Sequence, residues 1–418
     1  MTTTTSAATM QSKLCKRDAG GGAGGLSLPE DIIFEVLLRL PLPPAALRRY
    51  RCVCKAWRAV ISDPSFLAAR RSHVCAADPL IVAMFGSAPE FELRLLDRDG
   101  NVLRVFDVGG GTAALLAPTR LDLVFVDRMQ LGAMIIDPAS GRHCTVVGTN
   151  DDDDPTPLRR DPWHEPTTST AVNDYSFGRA VPSGDYKVVR LHVIVTSHGD
   201  GRRRRSQWCE VATILDDGGA GDEPTWRRRP WGPFYHTSFS CEHKATVNGD
   251  LFFMLYDTYD SESHGRNLIA TFNLESEEWK TKAIKGPLLG RKNVQDKWSI
   301  ALTEIKGTLC MVHKVQQLSD FGGHYANLWL LKDANRSVWV KEYKIQMPQR
   351  LLFTKPLDVL LDGTLLLLNT FQKAGNNKKC HRYILQFYNS STKAFIDFME
   401  MAEGFNGRMA FYAGSLQS

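Results

Sequence analysis

Two periods of apolar residues divide the chain. From Leu26 to Arg71 the large apolar positions recur every three or four residues, and beyond Arg71 they fall into short runs separated by turn formers. In the first part, Pro29 suits an opening helical turn, where its missing N–H is not needed, and Glu30 and Asp31 favour the positive N-terminal end. Ile32, Ile33, Val36, Leu37 and Leu40 form a helical stripe that Pro41 stops. Pro43 and Pro44 restart the chain into a short turn over Ala45 to Arg49. Tyr50, Val53, Cys54, Trp57 and Ile61 then predict a second stripe, and Asp63-Pro64 begins a last short helix through Phe66 and Leu67. About 45 residues is near the lower limit for folding on a private core, so this segment carries more apolar surface than it can hide. A partner chain would cover the surplus; by pattern alone, packing on the chain's own downstream domain would serve equally.

Beyond Arg71 the pattern predicts strands and hairpins. Pro79 to Phe85, Phe91 to Leu96 and Val102 to Val108 open it, the last two flanking the turn pair Asp99-Gly100. The form strand, polar turn, strand opening on an aromatic or basic residue recurs in MIIDPASGRHCTVV, ATFNLESEEWKT, LWLLKDANRSVWVKEY and ILQFYNSSTKAFIDF, and more loosely in EVATILDDGGAGDEPTWRRRP. Val102, His143, Trp226, Trp279, Trp339 and Phe395 open the returning strands at one or two multiples of roughly 40–60 residues, the range of propeller blades. A ring of small sheets that bury one another's faces accounts for this better than a sandwich. Gly184, Gly249, Gly307 and Gly363 supply the positive φ of tight hairpins, and Trp279 and Trp339 are expected to fill wedges between sheets. The expected fold class is α+β multidomain, a small helical unit followed by a large all-β domain of β-propeller type.

Motif order sharpens both parts. Leu28-Pro29-Glu30-Asp31, Arg39-Leu40-Pro41, Val53-Cys54-Lys55-Ala56-Trp57 and the closing Ile61, Pro64 and Phe66 resemble an F-box, the adaptor-binding module of SCF ubiquitin ligases. The resemblance implies docking onto a Skp-type adaptor, and through it a cullin scaffold, by Leu28, Pro29, Ile32, Ile33, Leu37, Leu40, Pro41, Leu47, Val53, Cys54 and Trp57. Eight basic residues (Arg39, Arg48, Arg49, Arg51, Lys55, Arg58, Arg70, Arg71) against four acids suit the acidic surface that such adaptors resemble, although charge alone also fits a solvated face. FGRAVPSGDYKVVRL (Phe177 to Leu191) resembles the FG-x-x-SGDYKVV element of plant F-box-associated domains. TVNGDLFFML, FNLESEEWK, IKGTLCMV, LWLLKDANRSVWVKEYKI and LLDGTLLLL resemble further elements in the same order, so that the likeness spans most of residues 77 to 412. Repeated Gly-Gly doublets of the kelch kind are missing. The expected organisation is a disordered tail (1–25), an F-box (26–72) and an F-box-associated β domain (73–418). The implied function is target recognition for a ubiquitin ligase, the target being an unknown protein. Alternatives are a propeller enzyme or small-ligand binder with a helical anchor, and an F-box protein that acts outside degradation.

Composition excludes little but consistently. The 418 residues are 43% apolar and 23% charged, enough for a large core, and a net charge of +5 does not argue for nucleic-acid binding. No apolar run is long enough to cross a bilayer, and MTTTTSAATMQSK lacks the apolar stretch of a secretion signal. Nine scattered cysteines without a CxxC pair fit reduced thiols in the cytoplasm or nucleus. HExxH, GxSxG and GxxxxGK[ST] are missing, and the pairs His192/His198 and His236/His243 lack further ligands at metal spacing. No catalytic residue, cofactor or metal is expected. Asp151 to Asp154 reads as a solvated acidic loop, and Arg202 to Arg205 and Arg227 to Arg229 as exposed hairpin tips.

Overall fold

The computed structural model describes residues 29–39, 50–63, 66, 80–109, 111–147, 168–197, 203–214, 224–230, 241–255, 267–289, 297–316, 324–348, 351–360, 362–372, 381–414 and 416. The expected tail (1–25) and acidic loop (151–154) lie outside them, as do Arg202, His198 and His236.

Among the described residues two α-helices, α1 (Glu30–Arg39) and α2 (Lys55–Ser62), precede the strands. The predicted stripe from Tyr50 to Ile61 is not one helix. Val53 N–H closes a turn on the Tyr50 carbonyl, and Cys54 is extended at φ −160°, so α2 begins only at Lys55. Cysteine and β-branched valine are weak helix formers, which favours the break there.

Six sheets follow, all of their pairings antiparallel but one. β1 (Leu80–Ser87), β2 (Glu90–Leu96) and β3 (Val102–Asp107) form the first in part. β4 (Leu115–Leu116) starts the second, β5 (Arg120–Leu121) crosses to the edge of the first, and β6 (Val124–Asp127), β7 (Ala133–Ile136) and β8 (His143–Val146) complete the second. The third holds β9 (Thr168–Arg179), β10 (Tyr186–Ser197), β11 (Arg203–Ile214) and β12 (Trp226–Arg229). The fourth holds β13 (Lys244–Val247), β14 (Asp250–Met254), β15 (Leu268–Asn273), β16 (Glu278–Trp279) and β17 (Ile284–Lys285). The fifth is β18 (Lys297–Ile305) to β21 (Val338–Met347), through β19 (Thr308–Gln316) and β20 (His324–Asp333). The sixth runs β22 (Leu351–Val359), β23 (Leu365–Gln372), β24 (His381–Asn389) and β25 (Ala394–Glu400).

The last strand, β26 (Phe405–Tyr412), pairs with β1 and supplies the first sheet's missing member. First strands of successive sheets touch: β13 meets β18, β18 meets β22, and β26 meets β4. These strands line the axis of a six-bladed β-propeller, closed by sharing one blade between the two ends of the β domain. Closure by hydrogen bonds leaves no end blade to expose its apolar face.

The six hairpins read from the sequence are the outer hairpins of the six blades. Each buries alternate residues against the next blade. Val189, Leu191, Cys209 and Val211 of blade three meet Leu251, Phe253, Phe272 and Leu274 of blade four, with Trp279 packed on that cluster. Ile81, Ala83 and Phe411 of blade one meet Leu366, Leu368 and Leu385 of blade six. Two outer-strand tryptophans also bond backward: Trp226 Nε1 donates to the Val147 carbonyl at 2.7 Å and Trp339 Nε1 to the Lys285 carbonyl at 2.8 Å. The turn Ala180–Asp185 shows why the SGDY element is needed. Gly184 sits at φ +84°, and the Ala180 N–H closes on the Asp185 carbonyl at 2.8 Å.

Candidate functional site

The two helices make a small cluster of their own. Ile33 and Leu37 of α1 and Val60 and Ile61 of α2 are buried together with Phe66, and Phe34 meets Phe66 edge-on at 5.2 Å. Phe34, Tyr50, Ala56 and Trp57 flank this cluster, with Tyr50 and Trp57 rings 5.4 Å apart. Pro29 accepts the Ile32 and Ile33 N–H groups at 3.0 and 3.1 Å, which anchors the first turn.

What the cluster cannot enclose lies on the other side. Ile32 is 48% exposed, Val36 41% and Val53 58%, and Pro29 and Cys54 are also exposed. Ile32 and Val36 are one turn apart on α1 and therefore share a face. Among the residues singled out from the sequence, Ile33 and Leu37 point inward, Trp57 is half-buried, and Pro29, Ile32, Val53 and Cys54 face solvent. Leu28, Leu40, Pro41 and Leu47 lie outside the described residues. Val36 belongs to the same helical stripe, and its spacing of four from Ile32 is the signal that marks it for the exposed side. The helical unit touches the ring where blade three turns from β9 to β10: the Arg51 guanidinium donates to the Ser183 carbonyl, and to Ser62 Oγ at 3.0 Å.

The ring corrects one expectation. Arg227 and Arg229 are not a free hairpin tip. Both reach the carboxylate of Glu277 on the neighbouring blade, at 2.6 Å from Arg227 Nη2 and 2.8 Å from Arg229 Nε, and Lys187 Nζ joins at 3.0 Å. Glu277 is 6% exposed at φ +56°, in the turn between β15 and β16, where the fold aims its carboxylate at blade three. Burial alone would raise its pKa; the hydrogen bonds from Arg227, Arg229 and Lys187 outweigh that and hold it at about 2. The pairing partner came from a turn about 50 residues away, which local pattern cannot show. Arg203 to Arg205 fall within β11 rather than in the connection before it.

Of the candidate histidines, His192 is buried against Trp208, ring centres 4.1 Å apart, and bonds Asn173. No group of three His, Cys, Asp or Glu with metal-binding geometry occurs among the described residues. No helix among them is long and apolar enough to cross a membrane.

A short helical unit with exposed aliphatic residues stands before a closed six-bladed ring, a helical module joined to a propeller. Residues 26–68 match the F-box domain, and residues 164–404 match the F-box associated beta propeller domain. The chain belongs to the plant F-box proteins that carry an F-box-associated domain. The second match starts just before β9, so blade two and β1–β3 of blade one precede it, and β26 follows it. F-box protein At3g07870 of Arabidopsis thaliana is 27% identical over 360 residues, covering 78% of this chain and 75% of that one. Putative F-box protein At3g21120, also from Arabidopsis thaliana, is 20% identical over 293 residues, 68% and 72% of the two chains. Among solved structures, Kuenenia stuttgartiensis hydrazine synthase aligns over 78% of this chain and 45% of its own, at 12% identity and a TM-score of 0.39, a likeness that carries no argument.

Proposed function

We propose that this chain is the substrate-recognition subunit of an SCF-type ubiquitin ligase. Residues 26–72 dock a Skp-type adaptor, which connects to a cullin scaffold, and residues 73–418 hold the target protein. The observation that carries this reading is the pairing of Ile32, Val36 and Val53, all more than 40% exposed, with an F-box match over the same segment. Exposed aliphatic residues, with the exposed cations Lys55 and Arg58 on the same helical unit, suit a partner that is apolar at the centre and acidic at the edge.

The chain itself performs no covalent step in this scheme. Its contribution is proximity: tethering turns the meeting of a target lysine and the transfer enzyme's thioester into an effectively intramolecular event. Connections such as Asn248–Gly249 and Lys306–Gly307, on the side of the ring that Arg51 touches, are two-residue turns with little reach. The target is therefore assigned to the opposite side, where the inner strands begin. Work in the cytoplasm or nucleus fits the free thiols of Cys52, Cys54, Cys144, Cys209 and Cys310.

Co-expression of the full chain with a Skp-type adaptor and a cullin tests the reading. A ternary complex recovered at one-to-one-to-one ratio is the expected result; a chain that elutes alone at micromolar concentration contradicts it.

A further inference from the structure

Three inner strands border a small, partly open cavity beside the ring axis. Leu115 and Leu116 of β4, Tyr175 to Phe177 of β9 and Lys244 to Thr246 of β13 line it, with Asp127 at the end of β6. It measures about 40 Å³, room for two or three waters or one small polar head group, and too little for a sugar or nucleotide.

Its polar lining is out of balance. Asp127 is 2% exposed and accepts the Met129 N–H at 2.8 Å and the Tyr175 N–H at 3.3 Å. Asp174, 3% exposed and next to the lining, holds Lys244 Nζ at 2.6 Å, and that ammonium also donates to the Tyr175 carbonyl at 2.6 Å. Two carboxylates and one ammonium leave one negative charge over. Burial pushes the Asp174 carboxyl up to about 6 and raises Asp127 as well, the expected response of anions without full compensation. Asp174 Oδ2 and the Oγ of Ser176, a residue 6% exposed, have no hydrogen-bond partner. Orphaned acceptors at this depth are costly unless something fills them.

We propose that this cavity binds a single primary ammonium group on an alkyl stem, as carried by a lysine side chain or a small alkylamine. An ammonium offers three donors and one positive charge, which would satisfy Ser176 Oγ and a carboxylate oxygen and bring the cluster to neutrality. Phe125, Phe253 and Leu116 give the apolar wall against which methylenes pack. A metal ion fits less well, because no third carboxylate, histidine or cysteine joins the two aspartates in metal-binding geometry among the described residues. The site is independent of adaptor docking, since it lies within the ring and uses none of the helical residues.

Isothermal titration of the full chain with n-butylammonium, and with n-butanol as the neutral counterpart, tests the proposal. Saturable one-to-one binding of the ammonium alone is expected, weakened roughly tenfold or more in Ser176→Ala through loss of a hydrogen bond to a charged group. Equal binding of both compounds, no binding of n-butylammonium, or unchanged affinity in Ser176→Ala overturns it. Asp174→Asn should abolish binding where it folds; Ser176→Ala decides where it does not. A capped lysine peptide and its Nε-acetyl form separate the sources. Binding of the unmodified peptide alone assigns a polypeptide lysine, binding of n-butylammonium without the peptide assigns a free amine, and binding of both peptide forms counts against the ammonium. Adaptor pull-down of the same variants should stay at the wild-type level, which keeps this test separate from the ligase reading.

Discussion

Arg120 reaches the carboxylate of Asp358 at 2.9 Å, although 238 positions separate them. Arg120 lies on β5, just after the inner strand of blade two, and Asp358 lies on the inner strand of blade six. The same guanidinium meets Glu304 of blade five at 3.3 Å and lies 4.6 Å from the ring centre of Phe411 on blade one. β5 is held there by parallel pairing with β26. One side chain therefore ties blades one, five and six together.

Arg120→Ala should lower stability by about 2–3 kcal/mol, because two carboxylates lose their common cation while only a quarter or less exposed. Urea denaturation followed by tryptophan fluorescence measures this. Arg120→Lys should recover only part, since an ammonium cannot present a planar fork to two carboxylates.

Glu277 sets an acid limit on the contact between blades three and four. Its folded pKa of about 2 lies below the ordinary 4.5, so its stabilisation is complete above 4.5 and is lost as pH falls through that value towards 2. Glu277→Gln should flatten stability against pH in that window and cost on the order of 3 kcal/mol at neutral pH, where Lys187, Arg227 and Arg229 would face one another without their anion. Denaturant midpoints at pH 3, 5 and 7 for both proteins check it.

Gly178 faces the same contact from β9. A methyl group there would come within 2.6 Å of Leu274 Cδ1 and 2.7 Å of Thr246 Cγ2. Gly178→Ala should cost about 1–3 kcal/mol by overpacking, read as a lowered melting temperature, and Leu274→Ala in the same chain should return part of it.

The architecture was legible because each blade repeats a local device. Val102, His143, Trp226, Trp279, Trp339 and Phe395 mark six outer strands, since a hairpin must turn with polar residues and return with ones that pack. Ring closure was not legible: β26 pairs with β1 across more than 320 residues, and no local pattern carries that distance. The same limit hid the partners of Arg120, Arg227 and Arg229, and the approach of Asp127 to Asp174. In the helices, the stripe marked Ile32 and Ile33 alike, and only three-dimensional packing separates the buried one from the exposed one. The break at Cys54 shows periodicity running through a helix boundary, because a turn can keep apolar residues at helical spacing without being helix.

The most direct measurement is the affinity of a purified Skp-type adaptor for the full chain carrying Ile32→Asp and Val53→Asp together. At least a hundredfold loss of binding, about 2.7 kcal/mol, is expected, with the melting transition of the propeller unchanged. Wild-type affinity in that double variant would contradict it, because the exposed side of the helices would then not be where the adaptor sits.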